Sequence, residues 1–315
     1  IAYSTLSQLG MMIAVCGISG YVFSIFHLVT HACFKALLFL SAGGVIIAMH
    51  HEQDIRKMGN LHRMPSLHLS MLIGLLSMVA VPPLSGFFSK DAMLVFAQSS
   101  IHPKALFCYI ALLIGAVITA VYSTRLYCLV FWQKGGKDHL EPVPFSMKIV
   151  LLILTVLSIG IGYWIVPWVV SSKLATSMDL LDNISSQATL SLLKDPHQFI
   201  EEALSSKTLA MILSTVLVTA YVYLRRPSVA DGISKGLKYV YLMIYHQFGF
   251  DAFYTKIVVP VYGYISRFLL RGLDEKIIDQ SLVLGSCRQV INVAQPLSKL
   301  SDGKVYHYIL VMLVG

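Results

Sequence analysis

Three proton-binding side chains stand inside an apolar run. In "FHLVTHACFKALLF", residues 26–39, His27, His31 and Lys35 recur at every fourth position. On an α-helix that spacing puts all three on one face. A charged lysine at the centre of a bilayer costs about 2.5–3.5 kcal/mol even on a permissive insertion scale, so the placement calls for a reason. The chemistry these groups offer is proton transfer, since imidazole and amine both load and unload hydrogen ions without a metal or a redox centre. The plainer alternatives are a histidine that hydrogen-bonds a neighbouring helix and a lysine that snorkels to the interface. Three groups in register favour the chemistry.

A second cation follows a helix break. In "VPPLSGFFSKDAML", residues 81–94, Pro82 and Pro83 remove backbone donors and push the preceding residue out of the helical region. Gly86 permits a sharp change of direction. Backbone groups freed at mid-membrane are tolerated only where they face protein or water. Lys90 comes four residues after Gly86, so the expectation puts it near the positive end of the second half-helix. Asp91 is its neighbour in sequence, points elsewhere around the helix and need not pair with it. The alternative is that Lys90 and Asp91 mark a half-helix start at the membrane edge. The mid-segment position of the lysine favours a role in proton transfer.

The elements that position these groups follow from composition. The chain has 315 residues, 56% hydrophobic and 13% charged, against about 25% charged in soluble domains. The expected fold is all-α, a polytopic transmembrane helix bundle with one discontinuous helix and a long amphipathic lateral helix. Apolar segments lie at 3–19, 21–49, 66–99, 105–132, 148–170 and 207–224, with another beginning at 305. One crossing needs about 20 residues. The stretch 66–99 is too long for one helix and reads as one crossing made of two half-helices broken at 82–86; two short crossings are the alternative.

The expected organisation is a transmembrane half-repeat at 1–132, further transmembrane helices at 133–227 with an outer loop at 171–206, a lateral helix at 228–304 and the start of a last crossing at 305–315. The chain begins at Ile1 and its last apolar segment is short, so it is expected to be a fragment cut at both ends. Of the 24 Lys and Arg residues, 17 fall in 51–65, 133–148 and 225–304, and four on the opposite side. By the positive-inside rule the rich side is cytoplasmic. Over 228–303 charges recur too often for a crossing, and apolar residues fill the gaps, so the element is expected to lie along the membrane surface. A break or bend is expected near Gly249 and at Pro260.

Other features carry less. The five cysteines are scattered without a CxxC pair, which speaks against an iron–sulfur, zinc or disulfide framework. His50, His51 and Glu52 read as a solvated loop, and His62 and His68 as loop or interface residues. Arg125, near Tyr122 and Tyr127, reads as a helix-end anchor. There is no GxGxxG after a strand and no GxxxxGK[ST]. No cofactor and no metal are expected on this chain, and no nucleic-acid partner.

"AYSTLSQLG", "FHLVTHACFKALLFLSAGGVI", "HHEQDIRKMGNL" and "PPLSGFFSKDAML" together resemble the antiporter-like membrane subunits of respiratory complex I, NADH:quinone oxidoreductase. "GFFSKD" is similar to the distal type among them, and "FGFDAFYTKIVVPVYG" to the opening of its lateral helix. The resemblance implies a proton-translocating subunit of a translocase with no redox chemistry of its own. It implies a relay in which His27, His31 and Lys35 match the central stripe, Lys90 the lysine of the broken helix and Asp91 its acidic neighbour. NADH, FMN, iron–sulfur clusters and quinone are then expected on partner subunits. The implied partners are other complex I membrane subunits, above all the adjacent antiporter-like one touched by the lateral helix, and the lipid bilayer. The implied location is a bacterial plasma membrane ahead of a mitochondrial inner membrane. The rival readings are the large subunit of a multi-subunit sodium/proton antiporter and a purely structural brace.

Overall fold

A computed structural model describes residues 1–133, 140–171, 189, 191, 193, 195–204, 206–300 and 303–314. Among them every regular element is helical, and the expected all-α fold holds. The described residues divide into two compact units, 1–232 and 233–314.

The first unit contains α1 (Ala2–Cys16), α2 (Tyr21–Ala48), α3 (Pro65–Val79), α4 (Ser85–Ser99), α5 (Ala105–Tyr127), α6 (Phe145–Ser171), α7 (Pro196–Leu204) and α8 (Lys207–Arg225). Among the described residues four helices are long and apolar enough to cross a membrane: α2, α5 with the wide turn that follows it, α6 and α8. The central helix is α2, which packs on α1, α3, α4 and α6. One side of it sends Phe34, Leu37, Leu38 and Val45 into a core with Met71, Leu75 and Met78 of α3. Close approach of these two helices depends on Gly74, because a Cβ there would meet Leu38. The loop expected at 171–206 falls largely outside the described residues.

The break between α3 and α4 occupies 80–84, two residues earlier than the expected 82–86. Ala80 takes the left-handed conformation, φ 69° and ψ 51°. Its N–H bonds the Ser77 carbonyl at 3.1 Å, and the Val81 N–H bonds the Leu76 carbonyl at 3.0 Å. This is a Schellman closure made with alanine in place of the usual glycine. The prolines therefore follow a turn already completed. Gly86 lies inside the first turn of α4 and does not change the chain's direction. Its role is proximity, since a Cβ on it would overlap the Ser77 carbonyl.

Leading into the second unit, α9 (Pro227–Gly236) and α10 (Lys238–Tyr245) precede a turn at Gln247–Gly249, where Phe248 and Gly249 have φ 54° and 79°. The expected interruption near Gly249 is therefore present. Beyond it helical turns run from 250 to 300: α11 (Phe250–Phe253), a π turn at Tyr254–Val258, α12 (Val259–Leu269), a π stretch at Leu270–Val283 and α13 (Leu284–Leu300). Pro260 does not end the helix. Its ring would clash with the carbonyl four residues back, and the wide turn just before it moves that carbonyl aside. The last element is α14 (Val305–Val314). No described side chain of the second unit is buried.

Candidate functional site

His27, His31 and Lys35 descend one side of α2, and all three are buried in the bundle. His27 is 1% exposed. Its Nδ1 lies 2.8 Å from Ser89 Oγ on α4, and its Nε2 lies 3.1 Å from Gln8 Oε1 on α1. An amide oxygen only accepts, so Nε2–H donates to it, and in the neutral ring Nδ1 accepts from the Ser89 hydroxyl. Ser89 Oγ is also 2.7 Å from Thr30 Oγ1, which lies 3.1 Å from the His27 carbonyl.

Each hydroxyl owns one hydrogen, so the cluster has two self-consistent settings. With a neutral ring the bonds run from Thr30 to Ser89 to Nδ1. With a protonated ring they reverse: Nδ1 donates to Ser89, Ser89 to Thr30, and Thr30 to the backbone carbonyl. The change moves hydrogens without moving heavy atoms.

Two turns along α2, Lys35 is 4% exposed. Its Nζ donates to Ser4 Oγ and, at 3.4 Å, to the Ile1 carbonyl. His31 stands between Lys35 and His27. Its ring centroid is 6.0 Å from that of His27, and Phe34 meets its ring edge-on at 5.2 Å. His31 Nε2 is buried and has no hydrogen-bond partner among the described residues.

Lys90 is 2% exposed, and its Nζ lies 3.3 Å from the Met78 carbonyl in the last turn of α3. The sequence expectation placed this amine at the positive start of α4. It sits instead at the negative end of α3, where backbone carbonyls lack helical partners. Lys90 is the sixth residue of α4, past its first turn. Helical side chains lean toward their own N-terminus, and here that direction leads to α3. Asp91 is half-buried and makes no ion pair with Lys90. Among the described residues no carboxylate lies within ion-pair distance of Lys35 or Lys90.

Tyr122 of α5 joins the two neighbourhoods. Its hydroxyl reaches Met78 Sδ at 3.6 Å and faces Ser4 and Gln8. Ser4 holds Lys35, Gln8 holds His27, and the Met78 carbonyl holds Lys90. Sequence reasoning missed Ser4, Gln8, Thr30, Ser89 and Tyr122. The Ser4–Gln8 spacing of four and the Ser89–Lys90 adjacency were available signals; for Tyr122 only its pairing with a helix end was visible. His68 and His62 lie outside the cluster: His68 Nε2 is 2.6 Å from the Tyr127 hydroxyl, and His62 Nδ1 is 3.1 Å from the Phe131 carbonyl. His50 pairs with Glu141 at 2.8 Å. Among the described residues no group of three or more His, Cys, Asp or Glu side chains could hold a metal ion.

The family described as NADH:quinone oxidoreductase/Mrp antiporter, TM, matches residues 1–119, which include all five candidate residues. NADH-quinone oxidoreductase subunit L of Neisseria meningitidis is 33% identical over 341 residues, covering 100% of this chain and 50% of that protein. NADH-ubiquinone oxidoreductase chain 5 of Marchantia polymorpha is 34% identical over 335 residues, covering 100% and 48%. The chain belongs to the antiporter-like membrane subunits of NADH:quinone oxidoreductase. Chain 5 of Phytophthora infestans is 36% identical over 339 residues, again covering 100% and 48%. This antiporter-like subunit spans about half the length of the curated relatives it matches. Its polar interior is assembled from α1, α2, α3, α4 and α5, so no single segment carries the whole arrangement.

Proposed function

We propose that this chain is the distal proton-translocating subunit of NADH:quinone oxidoreductase, and that it moves hydrogen ions through Lys35, His31, His27, Lys90 and Asp91. Redox chemistry belongs to partner subunits that carry NADH, FMN, iron–sulfur clusters and quinone. The observation that carries this reading is the buried polar row from Lys35 and Ser4 through Gln8 and His27 to Ser89, one residue from Lys90. Oil-buried cations with no carboxylate partner are poor structural glue and good proton carriers.

The drive is electrostatic. A positive charge arriving ~10 Å from either lysine repels it by about 1.7 kcal/mol at an effective dielectric of ~20. That push is modest, so hydration and hydrogen-bond switching at His27 and Ser89 complete the transfer. Tyr122, Ser4 and Gln8 keep the two lysine neighbourhoods in communication. The apolar side chains exposed along 233–300 are suited to an adjacent antiporter-like subunit, and the membrane is a bacterial plasma membrane. The test is Lys90→Ala in intact complex reconstituted into vesicles. Proton uptake per quinone reduced should fall while the complex still assembles. Unchanged pumping would overturn the role of Lys90. Sodium flux without quinone reduction would move the chain to the Mrp side of its family.

A further inference from the structure

Past Tyr127 the backbone of α5 widens into a π turn over Cys128–Trp132, and a groove opens there toward α8. Its mouth, a cavity of about 400 Å³, carries the polar groups of Arg56, Arg125, Tyr223, Asp231 and Gln133 beside Trp132. Its inner end is apolar, a cavity of about 170 Å³ between Leu75 and Val79 of α3 and Val216 and Ala220 of α8. Cys128, Trp132 and Leu224 line both parts, so the two form one groove. From Leu224 to Val216 it follows eight residues of helix, or about 12 Å.

Two groups at the mouth ask for opposite partners. The Arg125 guanidinium stands 5.8 Å from the centroid of the Tyr223 ring, close enough for a cation–π contact to orient it. The helix-end aromatic for Arg125 is thus Tyr223 of α8, where the sequence suggested Tyr122 and Tyr127. No carboxylate among the described residues lies within 4.0 Å of Arg125. Arg56, the other arginine at the mouth, is bound to Asp54 at 2.7 Å. Gln133 Oε1 is buried and accepts no hydrogen bond among the described residues. The site therefore offers a forked cation for an anion, an oxygen for a donor and an apolar slot for one chain. Trp132 is 49% exposed, as expected of an aromatic residue at head-group level.

We propose that this groove holds one phospholipid of the surrounding bilayer. Its phosphate sits on Arg125, its primary ammonium head group donates to Gln133 Oε1, and one acyl chain lies in the apolar end. A free phosphate would leave the slot unfilled. Asp231 on the facing wall disfavours a second anionic group. An acyl chain gains little by leaving other lipid tails, so the head group decides occupancy.

The test uses intact complex exchanged into vesicles of phosphatidylethanolamine or phosphatidylcholine bearing a photoactivatable acyl chain, with labelled peptides mapped. The ethanolamine lipid should label the stretches around Leu75–Val79 and Val216–Ala220 more strongly than the choline lipid. Arg125→Ala should lower that labelling about tenfold, equivalent to about 1.4 kcal/mol. Arg125→Lys, which keeps charge and loses the fork, should be intermediate. Ala220→Trp should abolish labelling by filling the slot. Equal labelling in wild type and R125A would reduce the groove to ordinary lipid contact and overturn the proposal. Cross-links to another subunit in place of lipid, or equal labelling by both lipids, would also overturn it. If R125A does not assemble on a native gel, R125K and A220W decide the same question.

Discussion

Ser89 governs the two settings of the His27 cluster, because its hydroxyl is shared between Nδ1 and Thr30. Ser89→Ala removes that link with little change in volume. Coupled turnover of reconstituted complex should slow roughly tenfold. That is below the 10²–10⁴ of a positioned acid or base, because water can take the hydroxyl's place. Ser89→Thr keeps the hydroxyl and should restore most of the rate; a silent S89A variant would remove the cluster from the path. Tyr122→Phe makes the same kind of test on the bridge between Ser4, Gln8 and Met78. Proton uptake per quinone reduced should fall with assembly intact. The ionisable residues were legible because a lysine or histidine in an apolar run is conspicuous. Serine, glutamine and tyrosine are ordinary in membrane helices, and only the fold brings Ser4, Gln8 and Tyr122 to the histidine and the lysines.

The break between α3 and α4 depends on two small residues with different duties. Gly86→Ala would drive a methyl group into the Ser77 carbonyl and should destabilise the helix pair by about 1–3 kcal/mol, read as a lower melting temperature of the detergent-solubilised complex. Ala80→Gly should act in the opposite direction. Relief of the left-handed alanine gives about 1–2 kcal/mol, and the greater freedom of unfolded glycine returns about 0.5–1 of it. The net gain of ~0.5–1 kcal/mol should raise the same melting temperature. Proline made the existence of this break legible. Its start was not, because alanine carries no turn signal and only the packing of α3 on α4 selects the positive φ. At Pro260 the helix does not end, because the π turn before it absorbs the proline. In the loop after α2 the Arg56 side chain, then its amide, holds the Asp54 carboxyl down at about 2. A depressed carboxylate contributes stability above its ordinary range near 3.9 and loses it as pH falls through about 2. Hydrogen-exchange protection of 52–57 should therefore be flat across physiological pH.

At the scale of the whole molecule, bulk composition was enough to announce a helical membrane protein, and recurrent charge set the second unit apart. Many of the exposed side chains of that unit are large and apolar. Cys287 is exposed and serves as a reporter. Maleimide should modify it readily in the isolated subunit and slowly in assembled complex; equal rates would mean that this stretch of α13 stays uncovered. The link from Lys90 to the end of α3 reaches further. A charged amine grips a carbonyl more strongly than a neutral one, so on the proposed relay a hydrogen ion arriving at Lys90 would tighten α4 against the end of α3 and its departure would loosen them. Cargo and joint stiffness would then trade free energy equally in both directions, and any force that pries the joint open would also change how long the cargo stays.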